Sequence, residues 1–198
     1  MTRRPNTEAR PRILKAALEL FATQGYEGAS MDRVAEAVGM KKANLFHYYP
    51  SKQALGVAVI VEAARHHGEA MRELFASGEE DPATTVKRMF ERGTATSRGD
   101  CSRGCFIGKM GQEIDERNAL MRVELKDCMK QWRAEVTEYF DGWRRRGYFR
   151  SGFKAVEAAD MVIALYEGSI LVAKVLKDET PVEHARHTAV TVLLSWKA

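Results

Sequence analysis

Apolar residues in this chain recur at helical intervals almost from end to end, and no strand-like alternation persists for more than a few residues. Ile13, Leu14, Ala17, Leu18 and Phe21 make one stripe of an amphipathic helix. Val182, Ala185, Ala189, Val192, Leu193 and Trp196 make another near the opposite end. A pleated sheet alternates its faces every second residue and cannot collect such stripes on one side. The spacing therefore predicts an all-α fold of about nine helices.

Punctuation divides the pattern. Gln24-Gly25 is a stop signal, and Ser30 is an N-cap for a short second helix carrying Val34, Ala35 and Val38. Gly39 breaks that helix, a third runs over 42–48, and Pro50 ends it. Ser51 caps a long helix reaching to about Phe75. Polar loops are expected over 77–82 and 97–104, with helices near 83–95, 105–115 and 118–142. Gly142, Gly147 and Gly152 bracket an aromatic-basic turn before two last helices, one over 156–176 and one after Pro181.

Charge is unevenly spread along this layout. The net charge is +4, and residues 1–55 hold nine Lys/Arg against five Asp/Glu, leaving 22 of each in the remainder. The whole excess lies in the first quarter, which suggests a polyanion-facing segment attached to a neutral body. A solvated basic face is the plainer alternative. No apolar run approaches the ~18 residues of a membrane span, so no membrane association is expected. The basic start has no apolar stretch behind it, as a secretory leader would require. Three Cys, an odd and small number, argue against a disulfide framework and for a reducing cytoplasm.

One helix followed by two short ones across a Gly-containing turn is the layout of a helix-turn-helix. On the 42–48 helix, Leu45 and Tyr49 can hold to the core while Lys42, Ala43, Asn44, His47 and Tyr48 point outward. Lys can bond guanine, Asn can bond adenine bidentately, and Ala can touch a thymine methyl. Ser30, Arg33, Tyr49 and Lys52 are better placed for phosphates, which orient a protein on DNA without specifying sequence. An unrelated helical hairpin with a polar face is the competing reading of the same pattern.

Ile13–Phe21, Gly25-Tyr26, Ser30–Ala35, Gly39–Lys52 and Ala54-Leu55 together resemble the N-terminal domain of the TetR family. The resemblance runs over about 45 residues. Phe46 stands where Tyr is common, and Tyr49 where Phe is usual. The resemblance implies a dimeric, ligand-responsive transcriptional regulator, usually a repressor. It divides the chain into a DNA-binding domain over 1–52 and a ligand-binding and dimerisation domain over 53–198. Its partners are then an operator duplex, a second copy of the chain and a small-molecule inducer.

Farther on, Arg103–Ile114 and Tyr166–Lys174 resemble a TetR subgroup that includes acrylate-responsive and N-ethylmaleimide-responsive regulators. That resemblance implies a reactive thiol at Cys105 with Lys174 beside it, although Lys109 departs from a frequent Asn. A thiolate near an ammonium can add to an electron-poor alkene or be oxidised to a sulfenic acid. Otherwise Cys105 is a small buried hydrophobe and Lys174 a solvated charge. Cys101 and Cys105 stand four apart with no His near them, so neither a metal nor any other cofactor is expected. A Cys101–Cys105 disulfide under oxidation stays open.

Trp132, Tyr166 and Met110 are candidates to line a ligand cavity, with Gln112, Glu113 and Glu167 as buried polar groups. The aromatic residues Tyr139, Phe140, Trp143, Tyr148, Phe149 and Phe153 could join that lining, but residues of this kind are more often simply core. His66, His67, His184 and His187 read as surface. The stripes Val162, Leu165, Ile170, Ala173 and Val182 through Trp196 can build a four-helix dimer interface, or pack within one chain. Two other functions compete: an architectural DNA binder that takes no ligand, and an enzyme with a Cys105 nucleophile. The lack of a His near Cys105 in sequence and of any phosphate-binding loop counts against catalysis.

Overall fold

The computed structural model describes residues 8–76, 80–95 and 104–198. Cys101 and most of the 97–104 loop fall outside them, as does part of the 77–82 loop. Among the described residues nine α-helices form, with one 3-10 turn at Glu116–Asn118 and no strand beyond an isolated bridge between Phe149 and Lys197. The helices are α1 Ala9–Gly28, α2 Met31–Ala37, α3 Lys42–Tyr48, α4 Lys52–Ala76 and α5 Pro82–Ala95. They continue with α6 Phe106–Glu113, α7 Ala119–Arg145, α8 Ala155–Leu176 and α9 Thr180–Ser195. The all-α expectation and its helix count hold.

Two details differ from the sequence reading. Gly25 breaks α1 as expected, with φ +78° and ψ 165°, but the helix resumes for one turn to Gly28. Gly142 does not end α7, which continues to Arg145. The left-handed stop comes instead at Gly147, with φ +77°. A helix tolerates a glycine for about 1 kcal/mol when its apolar face stays packed, and Phe140 there is fully buried.

The chain forms two compact units, Met1–His66 with Phe106–Cys128, and His67–Cys105 with Met129–Ala198. α4 and α7 each contribute to both.

In the first unit α1 packs on α2 and α6, and α2 on α3. Its core is the stripe Ile13, Ala17 and Phe21 of α1 with Val34, Leu45, Leu55 and Met110, none more than 1% exposed. Burying one such side chain contributes about 1.5–3 kcal/mol. The stripe read from spacing is thus the stripe that packs.

In the second unit, Phe140, Phe149 and Phe153 form an aromatic centre, the last two stacked with centroids 3.7 Å apart. Val162 and Ala173 of α8 and Val182, Ala185, Ala189 and Leu193 of α9 all belong to this core. These stripes were candidates for a dimer interface, and the structure assigns them to packing within the chain. The face α8 leaves outward is a different one, with Leu171 44%, Val172 46%, Val175 74% and Leu176 61% exposed.

Candidate nucleic-acid interface and sensor residues

α2 and α3 are set by short-range chemistry. The Ser30 hydroxyl oxygen accepts from the Arg33 amide at 3.3 Å, capping α2. Gly39 turns the chain with φ +67°, where a side chain would be strained. α3 then runs seven residues to Tyr48, with Tyr49 capping it and Pro50 next.

The seven positions of α3 sort cleanly by environment. Leu45 is fully buried, and Tyr49 just beyond is 5% exposed. Lys42, Ala43, Asn44, Phe46 and His47 are exposed, and Tyr48 is half-buried. The proposed base-reading residues thus share the open side of the helix. Lys42 donates to Asp32 at 2.8 Å, an exposed pair joining α3 to α2. Such a pair is worth about 0–1 kcal/mol in water and yields readily to a polyanion.

The residues expected at phosphates are more divided. Arg33 is exposed and donates to the Gln24 amide oxygen at 2.6 Å. Lys52 donates to the Glu27 carbonyl at 3.2 Å and lies over the Tyr26 ring, 4.5 Å from its centroid. Ser30 accepts the Arg33 amide through its hydroxyl oxygen, which leaves the O–H to donate. Tyr49 is a core residue whose burial holds its phenol above its ordinary pKa. That packing is what its place in the apolar stripe required, and it leaves little of the ring for a phosphate.

α6 fastens onto the break in α1. The Glu113 carboxylate accepts from the Tyr26 amide at 2.7 Å, and the Lys109 ammonium donates to the Ala22 carbonyl at 2.5 Å. The amide freed by the Gly25 break and a carbonyl of the preceding turn thereby gain side-chain partners. Met110 is fully buried in this unit. Gln112 and Glu113, both expected to be buried, are exposed.

Cys105 immediately precedes α6 and belongs to the second unit. Its thiol donates to the Glu167 carboxyl, and Tyr166 lies beside both. Burial pushes the Glu167 carboxyl and the Tyr166 phenol above their ordinary pKa values. Lys174 was expected beside the thiol. It stands two turns beyond Glu167 on α8, half-buried and without a hydrogen bond or ion pair among the described residues. The side chain met by Cys105 on α8 is thus a carboxyl.

Trp132 is 2% exposed and its ring meets that of Tyr166 at 5.8 Å, edge to face. Sequence reasoning placed His67 on the surface. Its ring instead packs on Trp132 at 4.6 Å, and burial drives its pKa down against the pull of Glu135. The signal was present: Ile60, His67, Met71 and Leu74 share one side of α4 at intervals of seven, four and three. Among the described residues no group of three His, Cys, Asp or Glu is placed to hold a metal ion, and no helix is long and apolar enough to cross a membrane.

A capped short helix, a glycine turn and a second short helix with an open polar face define a helix-turn-helix DNA-binding protein. Residues 13–59 match the family described as bacterial regulatory proteins, tetR family, and residues 82–189 match the tetracyclin repressor-like C-terminal domain. The chain belongs to the TetR family and is a transcriptional regulator rather than an enzyme. It is 26% identical over 165 residues to the transcriptional regulator AcuR of Cereibacter sphaeroides, covering 82% of this chain and 74% of that one. It is 21% identical over 187 residues to the HTH-type transcriptional repressor NemR of Escherichia coli, covering 93% and 94%. The crystal structure of a TetR transcriptional regulator from Chloroflexus aurantiacus matches it with a TM-score of 0.82 at 26% identity, covering 96% of each chain.

Proposed function

We propose that this chain is a ligand-responsive transcriptional repressor that binds a palindromic operator as a homodimer and is released by a small molecule. The observation that carries the reading is α3, whose Lys42, Ala43, Asn44 and His47 are open to solvent while Leu45 and Tyr49 anchor it. Residues 1–52 then read DNA, and 53–198 bind the inducer and the second copy. Two α3 helices entering successive major grooves one turn apart would set the operator's half-site spacing. Lys42→Ala, Asn44→Ala and His47→Ala are expected to relax base preference, each good base contact being worth about 1–3 kcal/mol. Competition binding against a library of mutated palindromes measures this. An unchanged sequence preference in all three variants removes α3 as the reading helix.

The inducer is proposed to act at or beside Cys105 as an electrophile or an oxidant, in keeping with the resemblance to regulators that respond to such compounds. The thiol is followed directly by α6, and α6 holds the break in α1 through Glu113 and Lys109. A covalent change at Cys105 therefore acts one residue before a helix bonded to α1, and it couples to DNA binding to the extent that it favours one arrangement of that helix over another. Cys105→Ser is expected to bind operator normally and to stay bound when treated with an α,β-unsaturated carbonyl or hydrogen peroxide. Undiminished release from that variant, followed by gel shift, excludes the thiol mechanism and leaves a reversible ligand.

A further inference from the structure

The aromatic-basic turn between α7 and α8 belongs to the second unit, whereas α3 belongs to the first. Residues 142–156 hold Arg144, Arg145, Arg146, Arg150 and Lys154 and no Asp or Glu. Arg144 pairs with Asp141 at 2.8 Å, Arg145 with Glu138 at 2.6 Å and Lys154 with Glu157 at 2.9 Å. Arg146, Arg150 and Lys197 have no acidic partner among the described residues. They lie instead over the rings of Trp143, Trp196 and Tyr148, 5.1, 5.1 and 5.4 Å from the centroids. A ring face holds a cation in place without cancelling its charge.

Beside this turn a cleft of about 390 Å³ lies between the start of α8 and the end of α9. Its floor is the buried Phe153, Ala158 and Leu193, and its walls are the half-buried Met161, Val192 and Trp196. Gly152 also lines it, and a Cβ there would meet only Trp196, at 4.0 Å, so the backbone leaves the space open. Trp196 is fixed in position. Its carbonyl accepts from the Arg150 amide at 2.9 Å, and its ring meets that of Phe153 edge to face at 6.0 Å.

We propose that this cleft is a binding site for a small amphiphilic organic anion, such as a medium-chain carboxylate. The apolar body fills the cleft, whose volume lies in the range of small-molecule sites. The carboxylate is held at the basic rim by Arg150 and Lys154. A guanidinium fork matches a carboxylate bidentately, and the Arg150 charge is not cancelled by an acid. Lys154 and Glu157 are the charged residues that line the cleft, and their pair is exposed, so water screens it and Lys154 can turn to another acceptor. Asp160, farther along α8, is bonded by both arms of Arg133 and adds no net charge. With Glu157 answered by Lys154, Arg150 leaves the rim positive. A cationic ligand would meet that charge and gain only a carboxylate already paired. The site shares no residue with the Cys105–Glu167 pair, since Glu167 follows Glu157 by about 15 Å of helix. It stands independently of the thiol mechanism.

The test uses three probes that share one apolar body, octanoate, octan-1-ol and octylammonium, titrated into the full-length protein by calorimetry. Octanoate is expected to bind saturably at about millimolar strength or tighter, and about tenfold more tightly than the alcohol. Octylammonium should bind more weakly than the alcohol. Arg150→Gln combined with Lys154→Gln is expected to bring octanoate down to the level of the alcohol while leaving the alcohol unchanged, a result that mere loss of structure would not give. Val192→Trp, which fills the cleft from α9, should abolish binding of all three. Met161→Trp fills it from α8 and serves if Val192→Trp does not fold, with thermal melts establishing the fold of each variant. No saturable binding of octanoate, octylammonium binding as tightly as octanoate, a carboxylate preference kept without Arg150 and Lys154, or octanoate binding unchanged in a folded cleft-filling variant overturns the site. Cosedimentation with phosphatidylglycerol vesicles without octanoate binding also overturns it, in favour of a lipid surface.

Discussion

Gly25 shows how one backbone position ties the DNA-reading unit together. Its φ of +78° and ψ of 165° lie in a region essentially restricted to glycine. A Cβ built there would sit 2.7 Å from Glu113 Oε2, the atom that accepts from the Tyr26 amide. Gly25→Ala is expected to cost about 1–3 kcal/mol from backbone strain, with a further loss as the Glu113 carboxylate is displaced. Urea unfolding of the two proteins measures it, and Gly25→Ala in a Glu113→Ala background should cost less. The break itself was readable from Gln24-Gly25. The carboxylate that closes on it was not, because Glu113 is 87 residues away from Tyr26. His67 makes the same point from the other side. Its stripe on α4 was local and legible, but only the approach of Trp132 shows what the ring meets.

At the level of elements, the start of α5 is decided by Asp81. Its carboxylate accepts from the Ala83 amide at 3.0 Å, from the Thr84 amide at 3.3 Å and hydroxyl at 2.9 Å, and from the Tyr148 hydroxyl at 3.2 Å. Burial is the largest single influence and raises its pKa, but the bonds from Thr84, Tyr148 and Ala83 together outweigh it and hold the carboxyl below its ordinary range. Asp81→Ala is expected to cost about 1–2 kcal/mol, the usual worth of such a cap. The sign in pH follows from the lowered folded value. The unfolded chain takes up the proton first, so the contribution is complete above the ordinary carboxylate pKa and is lost as the pH falls through the folded one. Chemical denaturation should therefore separate wild type from Asp81→Ala at pH 7, with the gap closing only in acid below about pH 4. α3 stands in contrast, since nearly all of its geometry is local. Its cap, its seven-residue length and the side each residue faces follow from spacing and from Gly39 and Pro50.

For the whole molecule, the question is which faces remain for a partner. Apolar stripes on α8 and α9 were evident in the sequence, yet Val162, Ala173, Val182, Ala185, Ala189 and Leu193 are consumed inside one chain. Leu171, Val172, Val175 and Leu176 stay outward on α8, and such a face is where a second copy would bury surface. Replacing Val172 and Val175 by Asp is expected to convert a dimer into a folded monomer by light scattering, and to weaken operator binding through loss of the paired half-site. A dimer unchanged by that replacement places the interface elsewhere.

Sequence alone determined the all-α class, the helix boundaries to within a few residues, the exposed face of α3 and the membership these motifs resemble. All of these follow from interactions spanning a turn or two of helix: caps, glycine stops and 3.6-residue periodicity. Tertiary structure decided the rest. It set which of two apolar faces on α8 turns inward, brought the Glu167 carboxyl to the Cys105 thiol, and packed the His67 ring against Trp132. The physical reason is that a stripe records only that a side chain is apolar enough to be buried. What buries it, and which polar groups meet beside it, depends on helices far apart in the chain meeting in space, as Tyr26 and Glu113 do across 87 residues.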